Sequence, residues 1–369
     1  MEKKRSLDDL RLRIDELDVE IVGLINERAQ CAKEIGELKR SKGAGAFSPA
    51  RERAVYERVL ALNKGPLSAE SIKAIYREIM SGSLALERCP RVAYLGPVGT
   101  FTHKAARSKF GSSVEYYPEP SVKDVFLEVS RGHSDYGVVP IENSTEGGVN
   151  QTIDCFYETQ LKVCSEIYVA VHHNLMTGGK REDIEVIYSH PQVFGQCREY
   201  IGANFPRVPL VECSSTTAAA ERASKESGAA AIASDTAADI YGLPIHERAI
   251  EDNPDNVTRF FVVSRQPAPR TGNDKTSLMF SIKDAPGVLH ELLKTFSDLG
   301  INLTRIESRP SKKRAWDYYF FIDLVGHSDD EAVGRALDVL AGSTRHMEVL
   351  GSYPAAEHVP MPEHTAREE

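Results

Sequence analysis

The chain has 369 residues, 41% apolar and 27% charged, an ordinary globular composition too long for one core, so two or three domains are expected. A formal net charge of -9 with no long basic run argues against nucleic acid as the main partner. Clustered cations inside such a chain point instead to small anionic ligands. No stretch approaches the roughly 20 apolar residues of a membrane span. Met1 to Arg5 is charged and runs into an amphipathic pattern instead of the apolar core of a signal peptide, so a cytoplasmic location is expected. Six scattered cysteines without a Cys-x-x-Cys pair read as reduced thiols with no zinc site. His172 and His173 are neighbours on a strand-like segment, so they face opposite ways and share no metal.

In chain order, Leu7, Leu10, Ile14, Leu17, Ile21 and Leu24 recur at alternating spacings of three and four, the seam of a long helix in coiled-coil-like packing. Arg28 takes the next seam position, before Cys31, Ile35 and Leu38 resume the pattern. An unpaired charge there is costly, so Arg28 must meet an anion from the protein or from a ligand. Lys39 follows nearly three turns later on almost the same face, about 16 Å along the axis. Arg11 lies about 25 Å from Arg28 and is turned away from it, so it serves the same pocket only if a second copy supplies it. Ser41 to Ala46 breaks the rod, and Ser48-Pro49 caps a second helix with Arg51 and Glu52 in its first turn. A third helix runs from about Ser68 to Glu87.

On these three helices, Arg11, Arg28, Lys39, Arg51, Glu52, Ser83 and Glu87 resemble the all-helical chorismate mutase domain. The resemblance implies a pericyclic rearrangement of chorismate to prephenate, with no covalent enzyme intermediate and no cofactor. Arg11 from a partner subunit and Arg28 would hold carboxylates, Lys39 would donate to the ether oxygen, and Glu52 would take the ring hydroxyl, with Arg51 and Ser83 completing the wall. Ser48 stands where some members carry an aspartate. Glu87 stands where others carry glutamine, and an ionised carboxylate would repel the ether oxygen. Glu87 is therefore expected to act protonated, with mutase activity falling as pH rises.

After a short linker at Arg88 to Arg91, β-rich runs end repeatedly in Gly, Ser or Thr clusters that open helices: Gly96 to His103, Glu142 to Gly148, Ser189-His-Pro, Ser214 to Thr217, and Ser234-Asp. Alternating strands and helices predict a mostly parallel α/β sheet, with these turns gathered at the carboxyl ends of its strands. Free N-H groups at helix starts make each turn an anion site in waiting, and five around one cleft suit a ligand with more than one carboxylate. The Gly96 turn has neither a P-loop ending nor a dinucleotide fingerprint, so ATP and NAD are not indicated. Thr258 and Arg259 stand where a turn-rich loop passes into the apolar run ending at Ser264.

The stretches Gly96-Pro-Val-Gly-Thr-Phe-Thr-His103, Pro140-Ile-Glu-Asn-Ser144 with Gly148 and Thr152, Ser189-His-Pro-Gln192 with Gln196-Cys197, Ala231-Ile-Ala-Ser234 and Thr258-Arg-Phe260 together resemble prephenate dehydratase. That resemblance implies a two-lobed, periplasmic-binding-protein-like α/β domain. Lys162 to Thr177 crosses to the second lobe and Ile250 to Val263 returns. The implied reaction removes carbon dioxide and hydroxide from prephenate to give phenylpyruvate. Thr258 would be the proton donor, backed by a network drawn from Asn143, Glu142 and His190. Thr100, Thr102, Ser144, Thr152, Ser189, Ser234 and Phe260 would contact substrate, and Arg259 would serve either structure or carboxylate binding.

Gln266 to Lys275 reads as a linker, followed by a β-α-β-β-α-β unit whose third strand is expected from Trp316 to Val325 and which ends near Tyr353. Its Pro286-Gly-Val-Leu-His290 and Glu307-Ser-Arg-Pro310 resemble the two motifs of the ferredoxin-like ACT domain fused to prephenate dehydratases. Phenylalanine would then bind at a subunit interface, near Gly287, Val288, Leu289, Asn302, Glu307, Ser308, Arg309 and Pro310, and inhibit the dehydratase. The expected layout is a helical domain at 1–88, a dehydratase at 91–267, a sensor at 275–354 and a disordered tail at 355–369. The strand from Thr258 to Ser264 leads almost directly into the linker, which gives feedback a short covalent route. Spacing alone supports a cytoplasmic, dicarboxylate-handling protein that is at least dimeric. A two-lobed metabolite sensor without catalysis is the alternative.

Overall fold

The computed structural model describes residues 6–41, 47–282, 286–310 and 318–356. Most of the break at Ser41 to Ala46, the start of the strand expected from Trp316 and all but the first two residues of the expected tail lie outside them. The chain divides into two compact units, Met1–Pro90 with Phe110–Glu115, and Arg91–Lys109 with Tyr116–Glu369.

In the first unit α1 (Leu7–Ser41), α2 (Pro49–Leu62) and α3 (Ala69–Arg88) form where the apolar spacing predicted them. The Ser48 hydroxyl accepts from Arg51 N and Pro49 opens α2, while Ser68 caps α3 by accepting from Ser71 N. Gly36 lets α1 approach α3 closely, because a Cβ there would lie 2.6 Å from Glu87 Cγ.

The second unit opens with β1 (Arg91–Leu95), α4 (Phe101–Phe110), β2 (Glu115–Glu119), α5 (Val122–Ser130), β3 (Tyr136–Asn143), the short β4 (Gly147–Gly148), α6 (Asn150–Glu158) and β5 (Lys162–Ala170). A second lobe follows: β6 (Asn174–Thr177), β7 (Val186–Ser189), α7 (Pro191–Gln196), α8 (Arg198–Asn204), β8 (Leu210–Glu212), α9 (Thr216–Ala223), β9 (Ala229–Ala233), α10 (Asp235–Tyr241) and β10 (Ile245–Glu247). Then β11 (Val257–Ser264) returns to the first lobe, whose sheet order is β2-β1-β3-β11-β5, while the second runs β10-β6-β9-β7-β8.

Both crossings lie where the sequence placed them. The expectation of a mostly parallel sheet fails, because β11 runs antiparallel to both β3 and β5, and β6 runs antiparallel to β9. The cause is the crossing itself: one strand leaves the lobe and another returns, so they meet head to tail. The helix expected after the Ser189-His-Pro turn is two short helices meeting at Cys197.

The module expected to be a sensor comprises β12 (Asp274–Ser281), α11 (Val288–Asp298), β13 (Leu303–Pro310), β14 (Tyr318–Val325), α12 (Glu331–Ser343) and β15 (His346–Pro354), with sheet order β13-β14-β12-β15. Leu278, Phe280, Phe296, Ile322 and Leu340 fill its core. It packs on the first lobe: Lys162 Nζ donates to Val349 O at 2.8 Å, and a Cβ at Gly351 would overlap the Val163 carbonyl.

Candidate active sites

On the helical unit, Arg28 faces a hydroxyl and not a carboxylate among the described residues: its guanidinium donates to Ser83 Oγ at 3.0 Å. The Ser83 hydroxyl in turn donates to Ile79 O at 2.8 Å, which leaves its oxygen lone pair to accept from Arg28. The charge in the seam is therefore solvated by protein yet not neutralised, leaving an attraction for an anion. Lys39 Nζ lies 3.7 Å from Glu87 Oε2, an atom that is buried and has no hydrogen-bond partner. Glu52 is buried in the first turn of α2, Arg51 is exposed beside it, and Ser48 spends its hydroxyl on capping. Arg11 is largely exposed, 3.7 Å from Asp8.

In the second unit a cavity of about 290 Å³ lies between the lobes, lined among others by Thr100, Phe101, Thr102, Asn143, His173, His190, Gln192, Gln196, Ser214, Ser215, Thr216, Asn256, Thr258 and Phe260. That volume suits one small organic molecule. The amino-terminal ends of α4, α7 and α9 open onto it, so positive helix termini and capping hydroxyls face the space from both lobes.

Thr258 sits at its polar centre. Asn143 Oδ1 accepts the N-H groups of Thr145 and Glu146 at 3.0 and 3.1 Å, which fixes the amide's orientation. Its Nδ2 therefore points the other way, donating to Thr258 Oγ1 at 2.8 Å and to Asn256 Oδ1 at 2.7 Å. Thr258 Oγ1 is an acceptor in that bond, so its own hydrogen is left to be given into the cavity.

A second polar group completes the wall. His173 is buried, shares a 2.8 Å bond between Nε2 and Gln196 Oε1, and takes the Phe101 ring edge-on with centroids 5.8 Å apart. Burial, the larger effect, holds its imidazole below the ordinary histidine range, so it stays neutral with Nε2 as the donor and a bare Nδ1.

The family model for prephenate dehydratase matches residues 92–268, that for chorismate mutase type II residues 10–88, and that for the ACT domain residues 276–342. A bifunctional chorismate mutase/prephenate dehydratase of Aquifex aeolicus is 47% identical, covering 95% of this chain and 98% of its own. The chain belongs to the bifunctional chorismate mutase/prephenate dehydratase family. The Stutzerimonas stutzeri member is 46% identical over 96% of this chain and 100% of its own. Among solved structures, a prephenate dehydratase from Arthrobacter aurescens in complex with L-Phe superposes with a TM-score of 0.67 at 36% identity, covering 74% of this chain and 94% of that one. No helix among the described residues is long and apolar enough to cross a membrane.

Within this bifunctional chain, the structure brings Thr100, Thr102, Asn143, His190, Thr258 and Phe260 to one cavity. It does not bring Ser144, Thr152, Ser189 or Ser234 there. Their hydroxyls donate to the carbonyls of Asp255, Pro140, Ile232 and Gly99 respectively, so each ties one strand or turn to another. Of the network expected behind Thr258, Asn143 is in contact, His190 lines the cavity while capping α7, and Glu142 faces elsewhere.

Arg259 projects away from Thr258, as alternation along β11 requires. Buried there, it ion-pairs with Glu166 at 2.7 Å and with Asp323 of the sensor, and donates to Tyr353 Oη at 3.1 Å. Among the described residues it is committed to these partners and does not line the cavity. Lys275 joins at 2.9 Å from Glu166; burial alone would lower its pKa, yet the carboxylate outweighs it and holds the ammonium above its usual range.

Of the regulatory residues, Gly287 caps α11 at a positive φ of 83° and Val288 packs on the sensor core. Glu307 and Arg309 face the dehydratase lobe, with Glu307 against Gly148 and Arg309 against Asn150. Ser308 and Pro310 pair with Phe320 and Tyr318 across β14.

The sequence reading missed Phe101, His173, Gln192, Gln196, Ser214, Ser215, Thr216 and Asn256 as cavity residues. Asn256 was findable, since it lies two residues before Thr258 on an extended segment and so shares its face. Gln192 and Gln196 stood inside quoted motifs, and Ser214 to Thr216 inside a flagged turn.

Proposed function

We propose that the cavity beside Thr258 converts prephenate to phenylpyruvate and that the α1–α3 face converts chorismate to prephenate, the two steps serving phenylalanine biosynthesis. The observation that carries the dehydratase assignment is the fixed direction of the Asn143 to Thr258 hydrogen bond. As the ring carboxylate leaves as carbon dioxide, its bonding pair enters the ring and expels the hydroxyl at the far end. Thr258 gives that oxygen its proton, water departs, and Asn143 Nδ2 stabilises the alkoxide character left on Oγ1. The side-chain and ring carboxylates of prephenate match the helix starts of α4, α7 and α9, and Gln196, oriented by His173, offers its amide beside them. Phe260 and Phe101 supply apolar wall. No cofactor is needed, because aromatisation drives the step.

For the mutase, Arg28 and Lys39 clamp the substrate from one copy, Glu52 and Arg51 lie at the opening of α2, and Arg11 comes from a second copy. Seam residues Leu10, Leu17, Ile21 and Leu24 are 38–64% exposed, which supports an intertwined dimer. The ACT match and the L-Phe bound to the Arthrobacter relative support phenylalanine as the effector of a sensor domain at 275–354, joined to a dehydratase domain at 91–267 and a mutase domain at 1–88. A non-catalytic sensor is disfavoured by two enzyme domains in one chain.

Thr258→Ala should lower the dehydratase kcat by about 100-fold or more while leaving mutase turnover unchanged in the same preparation. Near-full phenylpyruvate formation by the folded variant would remove Thr258 from the chemistry.

A further inference from the structure

Between the sensor and the dehydratase lobe lies a cluster of three cations, Arg259, Lys275 and Arg305, and four carboxylates, Glu142, Glu166, Glu307 and Asp323. Six of the seven charges sit in close pairs: Arg259 with Glu166 and Asp323, Lys275 with Glu166, Arg305 with Glu307. Glu142 is the exception. Its carboxylate is 37% exposed and lies 3.7 Å from the guanidinium of Arg259 on the catalytic strand and 3.7 Å from that of Arg305 on the sensor strand. It is the loosely held charge, shared by the two domains.

The next residue along the chain is Asn143, which orients Thr258. Arg305 also grips the backbone on the other side of Glu142, donating to Ile141 O at 3.3 Å, while its buried Nη1 has no partner. Further along β13, Glu307 sits so close to Gly148 that any Cβ there would overlap its carboxylate, and Arg309 bonds Asn150 at the start of α6. Alternate side chains of one sensor strand thus hold the segment Ile141 to Asn150, the loop whose amides fix Asn143.

We propose that Arg305 is the residue through which the sensor sets the position of Asn143, and hence of the Thr258 proton: displacement of β13 on effector binding shifts Arg305 relative to Glu142 and Ile141 O, and the Asn143 amide moves with them. This rests on phenylalanine being the effector. The route runs through side chains packed between domains and does not need the covalent linker at 266–275.

The test uses the full-length chain with phenylalanine, reading dehydratase inhibition and, separately, phenylalanine binding by calorimetry. Arg305→Met removes the grip on Ile141 O and Glu142. Gly148→Ala changes no sensor residue and forces Glu307 off the loop, which keeps the question answerable if the buried arginine is needed for folding. The expected result is a rise of about tenfold or more in the phenylalanine concentration that half-inhibits, with the binding constant within about threefold of the parent. Inhibition that tracks binding in Gly148→Ala, and in Arg305→Met where it folds, overturns the inference while leaving the effector assignment standing. A parent enzyme that neither binds nor responds to phenylalanine overturns both.

Discussion

Gly36 and Glu87 show how much one side chain can decide at the mutase face. The missing Cβ of Gly36 is what lets Glu87 reach a buried position 3.7 Å from Lys39. In Gly36→Ala the Glu87 side chain or the helix pair must shift, so chorismate turnover should fall by about tenfold while phenylpyruvate formation from added prephenate stays at the parent rate. A carboxylate at Glu87 competes with substrate for the Lys39 charge, and an amide does not. Glu87→Gln should therefore keep or raise mutase turnover, and a loss of about tenfold or more would count against it. Individual residues were unevenly legible. Thr258 and Asn143 could be read from motifs, because both stand at strand ends beside turn-forming residues. Ser144, Thr152, Ser189 and Ser234 could not be sorted the same way, since a hydroxyl in a polar turn serves a ligand or a carbonyl equally well. Which one it meets depends on distant partners such as Pro140 O and Ile232 O, which local spacing does not encode.

Among elements, the segment joining β5 to β6 gathers two of its bonds on one carboxylate. Glu251 accepts from His172 Nδ1 at 2.7 Å and from His173 N at 2.8 Å, which pins the point where the chain leaves the first lobe. The hydrogen bond to Glu251 raises the His172 pKa above 6.5, and burial only partly opposes it. Burial would raise the Glu251 pKa, yet the bonds from His172 and His173 outweigh it and depress it. A raised histidine contributes stability that is complete below its unfolded value and is lost as pH rises through the folded one. A depressed carboxylate loses its share only as pH falls through its own folded value. The joint contribution is therefore greatest in mildly acidic solution. Urea midpoints should drop between about pH 6 and about pH 9, and by less in His172→Gln. An equal drop in both proteins would show that this pair does not hold the crossing. The crossing was placed correctly from sequence, but its antiparallel pairing was not, because alternation of strands and helices says nothing about which strand returns beside which.

At the scale of the whole molecule, the coverage of α1 is unequal to its length. Thirty-five residues make a rod of about 52 Å, whereas α2 and α3 have 14 and 20 residues. Leu10 is 44% exposed, Leu17 38%, Ile21 49% and Leu24 64%, so a seam spaced for coiled-coil packing has no cover along its amino-terminal half within one copy. Arg11 sits in that same half, away from Arg28 and Lys39. A second copy of α1 would bury the seam and bring its own Arg11 to the far pocket, and the two consequences are inseparable. The double variant Leu17→Glu with Ile21→Glu puts carboxylates into the seam, where unpaired charge is unfavourable by several kcal/mol per residue. Light scattering should find it at half the parent mass. Its mutase activity should fall by about 100-fold, as expected for loss of a carboxylate clamp, while dehydratase activity per chain persists. Arg11→Ala should lose the same activity at unchanged mass. Full mutase activity in a monomeric double variant would mean that each pocket is complete within one chain.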